Sequence, residues 1–312
     1  MAEEALVSFV TEPTIFGGVE AGGTNTVCVV GSGQGDVADR LEFGTTTPEA
    51  TIQGAVRFFA EGTGHRIAAL GLAWFGPLEI RRGHSRYGVV GRTPKPGWEG
   101  ADVVSPFREA LGVPVAVDTD VAAAALAEGE WGAAQGLASH VYLTVGTGIG
   151  GGAIVDGFVL HGLGHPEMGH LPVVRADGDD FTGVCPFHGA CLEGMASGPA
   201  IEGRWGRPAE DLGPEQAAEA ADLVARYLAQ GLRAVTYVVA PQRIVVGGGV
   251  ARLPGFLAAL RRHFAGSLAG YPGLSEHAAD DFVSAARLGD MAGPLGGLVL
   301  ARRALGQPGV LD

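Results

Sequence analysis

At 312 residues the chain has room for about two domains, and its 46% hydrophobic content with 53 glycines describes a globular protein with many tight turns. The glycines follow no three-residue period, which excludes a collagen-like polymer. Lys+Arg 21 against Asp+Glu 34 leaves a net charge of −13, which repels phosphate backbones and anionic bilayers, so neither nucleic acid nor membrane is an expected partner.

The N-terminal MAEEALVSFVTEPT is acidic and lacks the long apolar stretch of a secretory signal. No uncharged apolar run approaches the roughly 20 residues that cross a bilayer, so a cytoplasmic location is expected. After about a dozen residues expected to be unstructured, IFGGVEAGGTNTVCVVG reads as strand, glycine turn at Gly22-Gly23, and strand. Residues 48–62 read as helix, and IAALGLAWF from Ile67 as an apolar strand ending at Gly76-Pro77. The Gly-, Pro- and Arg-rich stretch 81–100 reads as a long ordered loop, a class that is usually functional. VPVAV (113–117) is a buried strand, followed by Asp118-Thr119-Asp120 and the alanine-rich helix VAAAALAEGEW. VYLTVGTGIGGGAIVDG then repeats the strand–glycine–strand pattern, which implies an internal duplication of architecture. A long helix over 215–240, a strand RIVVGGG (243–249), a helix over 252–264 and a final apolar helix over 292–305 complete the chain.

Gly146-Thr147-Gly148-Ile149-Gly150-Gly151 looks like a dinucleotide fingerprint, but that fingerprint opens a helix and here a strand follows. A glycine turn between strands is either a plain hairpin or a nest of backbone N–H groups that cradles phosphate. Two such turns and a third cluster, Gly247-Gly248-Gly249, favour phosphate binding. Asp120, at a strand-to-helix junction, has two readings: a helix N-cap, a task Asp118 or Thr119 could share, or the carboxylate that takes the proton from an acceptor hydroxyl. Composition alone favours the cap.

His170, Cys185, His188 and Cys191 offer two imidazoles and two thiolates, the last three spaced C-x2-H-x2-C. That set fills the four positions of a tetrahedral structural zinc, and it explains unpaired thiols in a reducing compartment. Glu167 and Glu193 flank the set and are either solvated charges or acceptors for the hydroxyls of a polyol. Lys95 and Trp98, in TPKPGW, either close over the same substrate or belong to a proline-ordered surface turn.

Taken together, these motifs resemble the sugar kinases of the repressor, open reading frame and kinase (ROK) group. VEAGGTNT resembles its first phosphate motif, VDTDVAAAALAEGEWG the segment with its catalytic aspartate, and LTVGTGIGGGAIVDG its second phosphate motif. GHPEMGH with CPFHGACLEG resembles the sugar and zinc region, and IVVGGGV the adenosine loop. RYGVVGRTPKPGW and the Thr119-Asp120 pair are similar to the bacterial fructokinases of the group. The resemblance implies an α/β, two-lobed actin-like ATPase (ribonuclease H-like) fold, with a small lobe of residues 1–118 plus 290–312 and a large lobe of 119–289. It implies an ATP-dependent fructokinase, with a kinase for mannose, glucose or another hexose as the alternative. A sugar-sensing regulator is more distant, because such proteins carry a DNA-binding segment ahead of the first hairpin. ATP, Mg2+ and structural Zn2+ are the implied cofactors, and a homodimer the implied assembly.

Carried over by residue, the resemblance makes Asp120 the base and Thr119, Glu167, His170, Glu193, Lys95 and Trp98 sugar contacts. Gly22, Gly23, Thr24, Thr147, Gly148, Pro199, Gly247, Gly248 and Gly249 become phosphate or nucleotide contacts. Asn25 departs from a frequent lysine and Ala122 from a frequent asparagine. Glu20 stands for the usual aspartate of the first phosphate motif, within reach of magnesium through water.

Overall fold

The computed structural model describes residues 14–306, so the expected unstructured N-terminal dozen lies outside the described residues. β1 (Phe16–Ala21) and β2 (Asn25–Gly31) form the expected hairpin, antiparallel, across the Gly22–Thr24 turn. β3 (Asp39–Gly44) extends it at the outer edge. Its charged sequence DRLEFG is mostly exposed, as befits an edge strand. β4 (Leu70–Trp74) and β5 (Val115–Thr119) add in parallel on the other side of β1, giving the order β3-β2-β1-β4-β5. Parallel neighbours need long crossovers. One contains α1 (Pro48–Arg57), continued by a wider turn over 58–62, and the other α2 (Ser105–Leu111).

After α3 (Asp120–Trp131) the pattern repeats. β6 (His140–Val145) and β7 (Ile149–Val155) form the second glycine hairpin, β8 (Phe158–Val159) is its edge, and β9 (Arg243–Gly247) and β10 (Val283–Ala285) add in parallel to β6. Read from β8, the order β8-β7-β6-β9-β10 has the same sequence of antiparallel and parallel pairings as the first sheet. The duplication expected from two glycine turns is therefore a duplication of whole sheets. Short α4 (Leu192–Ala196) and α5 (Gly198–Trp205) precede α6 (Pro214–Val239) and α7 (Phe256–Leu268). Helix α7 begins four residues later than its apolar pattern, because Pro254 and Gly255 interrupt the chain.

Helix α8 (Ala292–Ala304) returns to the first sheet and packs on β1 and β4 as well as α3. The approach is close enough that a Cβ on Gly71 would lie 1.9 Å from the carbonyl oxygen of Gly297. α3 and α8 share an alanine-rich layer with residues of both sheets, including Ala73, Ala116, Tyr142 and Val245. Glu128, fully buried on α3, stitches this layer: its carboxylate accepts from the N–H groups of Ala133 (2.6 Å), Leu288 (2.9 Å) and Arg287 (3.3 Å). Backbone donors around a buried carboxylate offset its desolvation.

The 81–100 stretch is an ordered loop, as its composition predicts, pinned by bridges between Leu78 and Val90 and between Val89 and Asp102. Trp98 corrects an expectation. It is fully buried, its Nε1–H donates to the carbonyl of Thr46 at 2.9 Å, and its ring meets Phe75 edge-on at 4.9 Å. The indole offers no face to a sugar and instead roots the loop in the core of the first sheet.

Candidate active site

The β5–α3 junction resolves the two readings of the DTD triplet as far as the cap is concerned. Thr119 caps α3, its Oγ1 accepting from the Ala122 N–H at 3.2 Å. Thr119 is itself buried, so its hydroxyl serves the helix. Asp118 is also engaged, with Oδ1 on the Thr119 N–H (2.8 Å) and 3.1 Å from His161 Nε2. Asp120 is the first helical residue, half-buried, with Oδ1 accepting from the Val121 N–H at 2.9 Å. Burial, reinforced by the charge of Glu167, pushes its carboxyl up to about 6, against the lowering effect of the backbone donors. An acid near 6 is mostly ionised at neutral pH yet basic enough to accept a proton.

Beside it, at the end of β1, burial pushes the Glu20 carboxyl up to about 8, helped by the charges of Asp120, Asp290 and Glu42. The charges of Glu20 and Asp120 repel, and a divalent cation beside them would reverse that repulsion. Carboxylate oxygen is the hard donor type that Mg2+ takes.

The three glycine clusters occupy the ends of the central strands. In the first turn the Gly22 N–H donates to the Asn25 carbonyl at 2.9 Å. Lys95 reaches it from the 81–100 loop, its ammonium on the carbonyls of Gly23 and, at 3.2 Å, Thr45. Lys95 thus sits at the first phosphate-type turn. In the second turn the Gly146 N–H meets the Gly148 carbonyl (2.9 Å), and the following Ile149 N–H donates to Glu193 Oε2 (2.9 Å). One oxygen of Glu193 therefore buttresses this turn, and a side chain at Gly148 would have to push that carboxylate aside, its Cβ lying 2.7 Å from Oε2. The third turn leaves β9 at Gly247, and Gly248 adopts φ +91°, where a Cβ would lie 2.4 Å from the Val145 carbonyl oxygen.

Thr147, Pro199 and Gly249 line one cavity of about 900 Å³. Its walls include Pro208, Leu212, Leu253 and Pro254, an apolar surround that suits a heterocyclic base. The first turn, Gly22–Thr24, does not line this cavity, and neither do Gly148, Gly247 and Gly248.

His170, Cys185, His188 and Cys191 converge, with one ligand atom from each inside a 4.8 Å cluster. Cys185 Sγ lies 3.8 Å from Nδ1 of both His170 and His188, and Cys191 Sγ 3.6 Å from His170 Nδ1. A tetrahedral ion with bonds of roughly 2.3 Å to sulfur and 2.0–2.1 Å to nitrogen sets such ligands about 3.6 Å apart. Burial pushes the Cys191 thiol up to about 11, a cost that a bound cation would offset by stabilising the thiolate. Glu167 and Glu193 leave this cluster on either side. Glu167 Oε1 lies 3.4 Å from His165 Nδ1, a residue that motif reading missed although it stands two positions before Glu167 in GHPEMGH.

The profile of the ROK family matches residues 16–304. The chain belongs to the ROK family. A fructokinase from Zymomonas mobilis is 42% identical over 291 residues, which cover 92% of this chain and 96% of that protein. Among solved ROK structures, the hexokinase of Thermus thermophilus is 30% identical, with a TM-score of 0.74 over 95% of this chain and all of that one. A glucokinase from Streptomyces griseus, solved with glucose and AMPPNP, is 27% identical, with a TM-score of 0.75 over 93% and 99% of the two chains. The two mixed sheets with flanking helices are thus the actin-like ATPase fold of ROK sugar kinases. Among the described residues no helix is long and apolar enough to cross a membrane.

Proposed function

We propose that this chain is an ATP-dependent fructokinase that converts D-fructose and ATP to D-fructose 6-phosphate and ADP. The observation that carries the chemistry is Asp120, relieved of helix capping by Thr119 and poised near 6. The sugar assignment rests on curated fructokinases 36–42% identical over most of the chain. Fructose lies against Glu167, His170 and Glu193, with O6 toward Asp120, which takes its proton as the phosphoryl group departs. ATP occupies the cavity of Thr147, Pro199 and Gly249, its phosphates directed to the glycine turns. Glu20 would hold Mg2+ through water, and the ion would supply neutralising charge for the phosphoryl group in transfer. Zn2+ on His170, Cys185, His188 and Cys191 is structural and keeps Glu167 and Glu193 in place. The lobes formed by 1–118 with 290–312 and by 119–289 close over both substrates and exclude water. The thiol ligands suit a cytoplasmic enzyme, and the assembly is a homodimer.

Two results are expected. In a coupled ADP-release assay over fructose, mannose and glucose, fructose gives the largest kcat/KM; glucose preferred tenfold or more, about 1.4 kcal/mol, would replace the substrate while keeping the kinase. The second is a pH profile. Asp120 works ionised, so kcat/KM for fructose is level at neutral pH and falls about tenfold per unit as pH drops below about 6. A profile flat down to pH 5 would contradict this assignment.

A further inference from the structure

His165 joins two segments 87 residues apart in sequence. Its Nε2 accepts the Leu78 backbone N–H at 3.1 Å, so this nitrogen carries no proton and the neutral ring carries its proton on Nδ1. That nitrogen faces Glu167 Oε1 at 3.4 Å. The ring packs on Gly76, where a Cβ would lie 3.2 Å from Cε1, and it is only 10% exposed, whereas Glu167 is 54% exposed. An exposed carboxylate therefore lies beside a fixed ring whose tautomer a backbone group dictates.

The contact continues into the opposite lobe. Leu78 pairs with Val90, the Gly91 N–H donates to the Pro77 carbonyl at 2.6 Å, and the same loop runs on to Lys95 at the first glycine turn. We propose that His165 is a positioning residue for fructose binding: it aims the Glu167 carboxylate at the sugar and ties it to the loop that carries Lys95. The inference rests on the reading of Glu167 as a sugar ligand. An exposed carboxylate without this donor samples several rotamers, and the sugar must select one of them.

Two near-isosteric replacements separate positioning from simple packing. Asparagine sets an amide N–H close to the place of Nδ1 and keeps the donor for Glu167. Glutamine sets its amide near Nε2 and keeps only the Leu78 contact. Initial rates of His165→Asn, His165→Gln and His165→Ala should show KM for fructose raised about tenfold in Gln and Ala, which lose the N–H facing the charged carboxylate. Asn should stay within a few-fold of wild type, and KM for MgATP should not move in any of them. The idea is overturned if Gln equals or betters Asn, if all three match wild type, or if KM for MgATP rises in step. Glu167→Gln is the control. If it raises KM for fructose while the His165 variants match wild type, only this inference fails; if it leaves KM unchanged, the sugar reading of Glu167 fails and takes the inference with it. Should the alanine variant not fold, the Asn and Gln pair still decides.

Discussion

Asp120→Asn folds as the wild type does, and its kcat falls by roughly two to four orders of magnitude. Thr119 Oγ1 already holds the Ala122 N–H, and an asparagine amide oxygen can still accept the Val121 N–H that Asp120 Oδ1 accepts, so the substitution leaves the start of α3 intact. What disappears is a group able to take a proton at neutral pH, together with one of the charges that raise Glu20. Circular dichroism and thermal melting should match wild type, and KM for fructose and MgATP should change little. Retention of more than about a tenth of wild-type kcat, well above the range for loss of a general base, would remove Asp120 from the chemistry.

Loss of the metal should have the second large effect. Freshly purified protein, never exposed to chelator, should carry about one zinc per chain, and Cys185→Ser or Cys191→Ser should carry far less. The region from Glu167 to Glu193 has little regular structure, two short helical turns apart, so a metal on the four-ligand cluster would add to the order that burial of Met168, Ala176 and Leu192 supplies. A loss of about 4 kcal/mol, among the large effects that loss of a metal produces, lowers Tm by roughly 10 °C in a domain of this size. Turnover should fall with it, because Glu193 lies two residues beyond Cys191 and buttresses the second glycine turn through Ile149. Elemental analysis finding no zinc, or serine variants with unchanged Tm, would contradict the metal site.

What the sequence disclosed and what it hid follow from the range of the interactions. Both glycine hairpins were legible because turn chemistry is local: Gly22-Gly23 and Gly146–Gly148 sit between apolar runs that need no distant partner to be recognised. The C-x2-H-x2-C spacing was legible for the same reason. β3 was not, because an exposed edge strand such as DRLEFG has no apolar alternation, and β8 and β10 are too short to show one. Trp98 was misread because its burial is supplied by Trp74 and Phe75, more than 20 residues away. Lys95 was expected at the sugar for the same reason: only the folded loop brings its ammonium to Gly23. Asp118-Thr119-Asp120 offers three candidate caps in a row, and no pattern of residue types says which of them the helix uses.

The products that leave the active site distinguish a fructokinase from every alternative. The protein incubated with D-fructose and MgATP, and followed by phosphorus-31 and carbon-13 nuclear magnetic resonance, should form fructose 6-phosphate and ADP in equal amounts. Without sugar, ADP should not accumulate. ADP released with no sugar phosphate, phosphate attached to a carbon other than C6, or no turnover with fructose while another hexose reacts would contradict the proposed reaction.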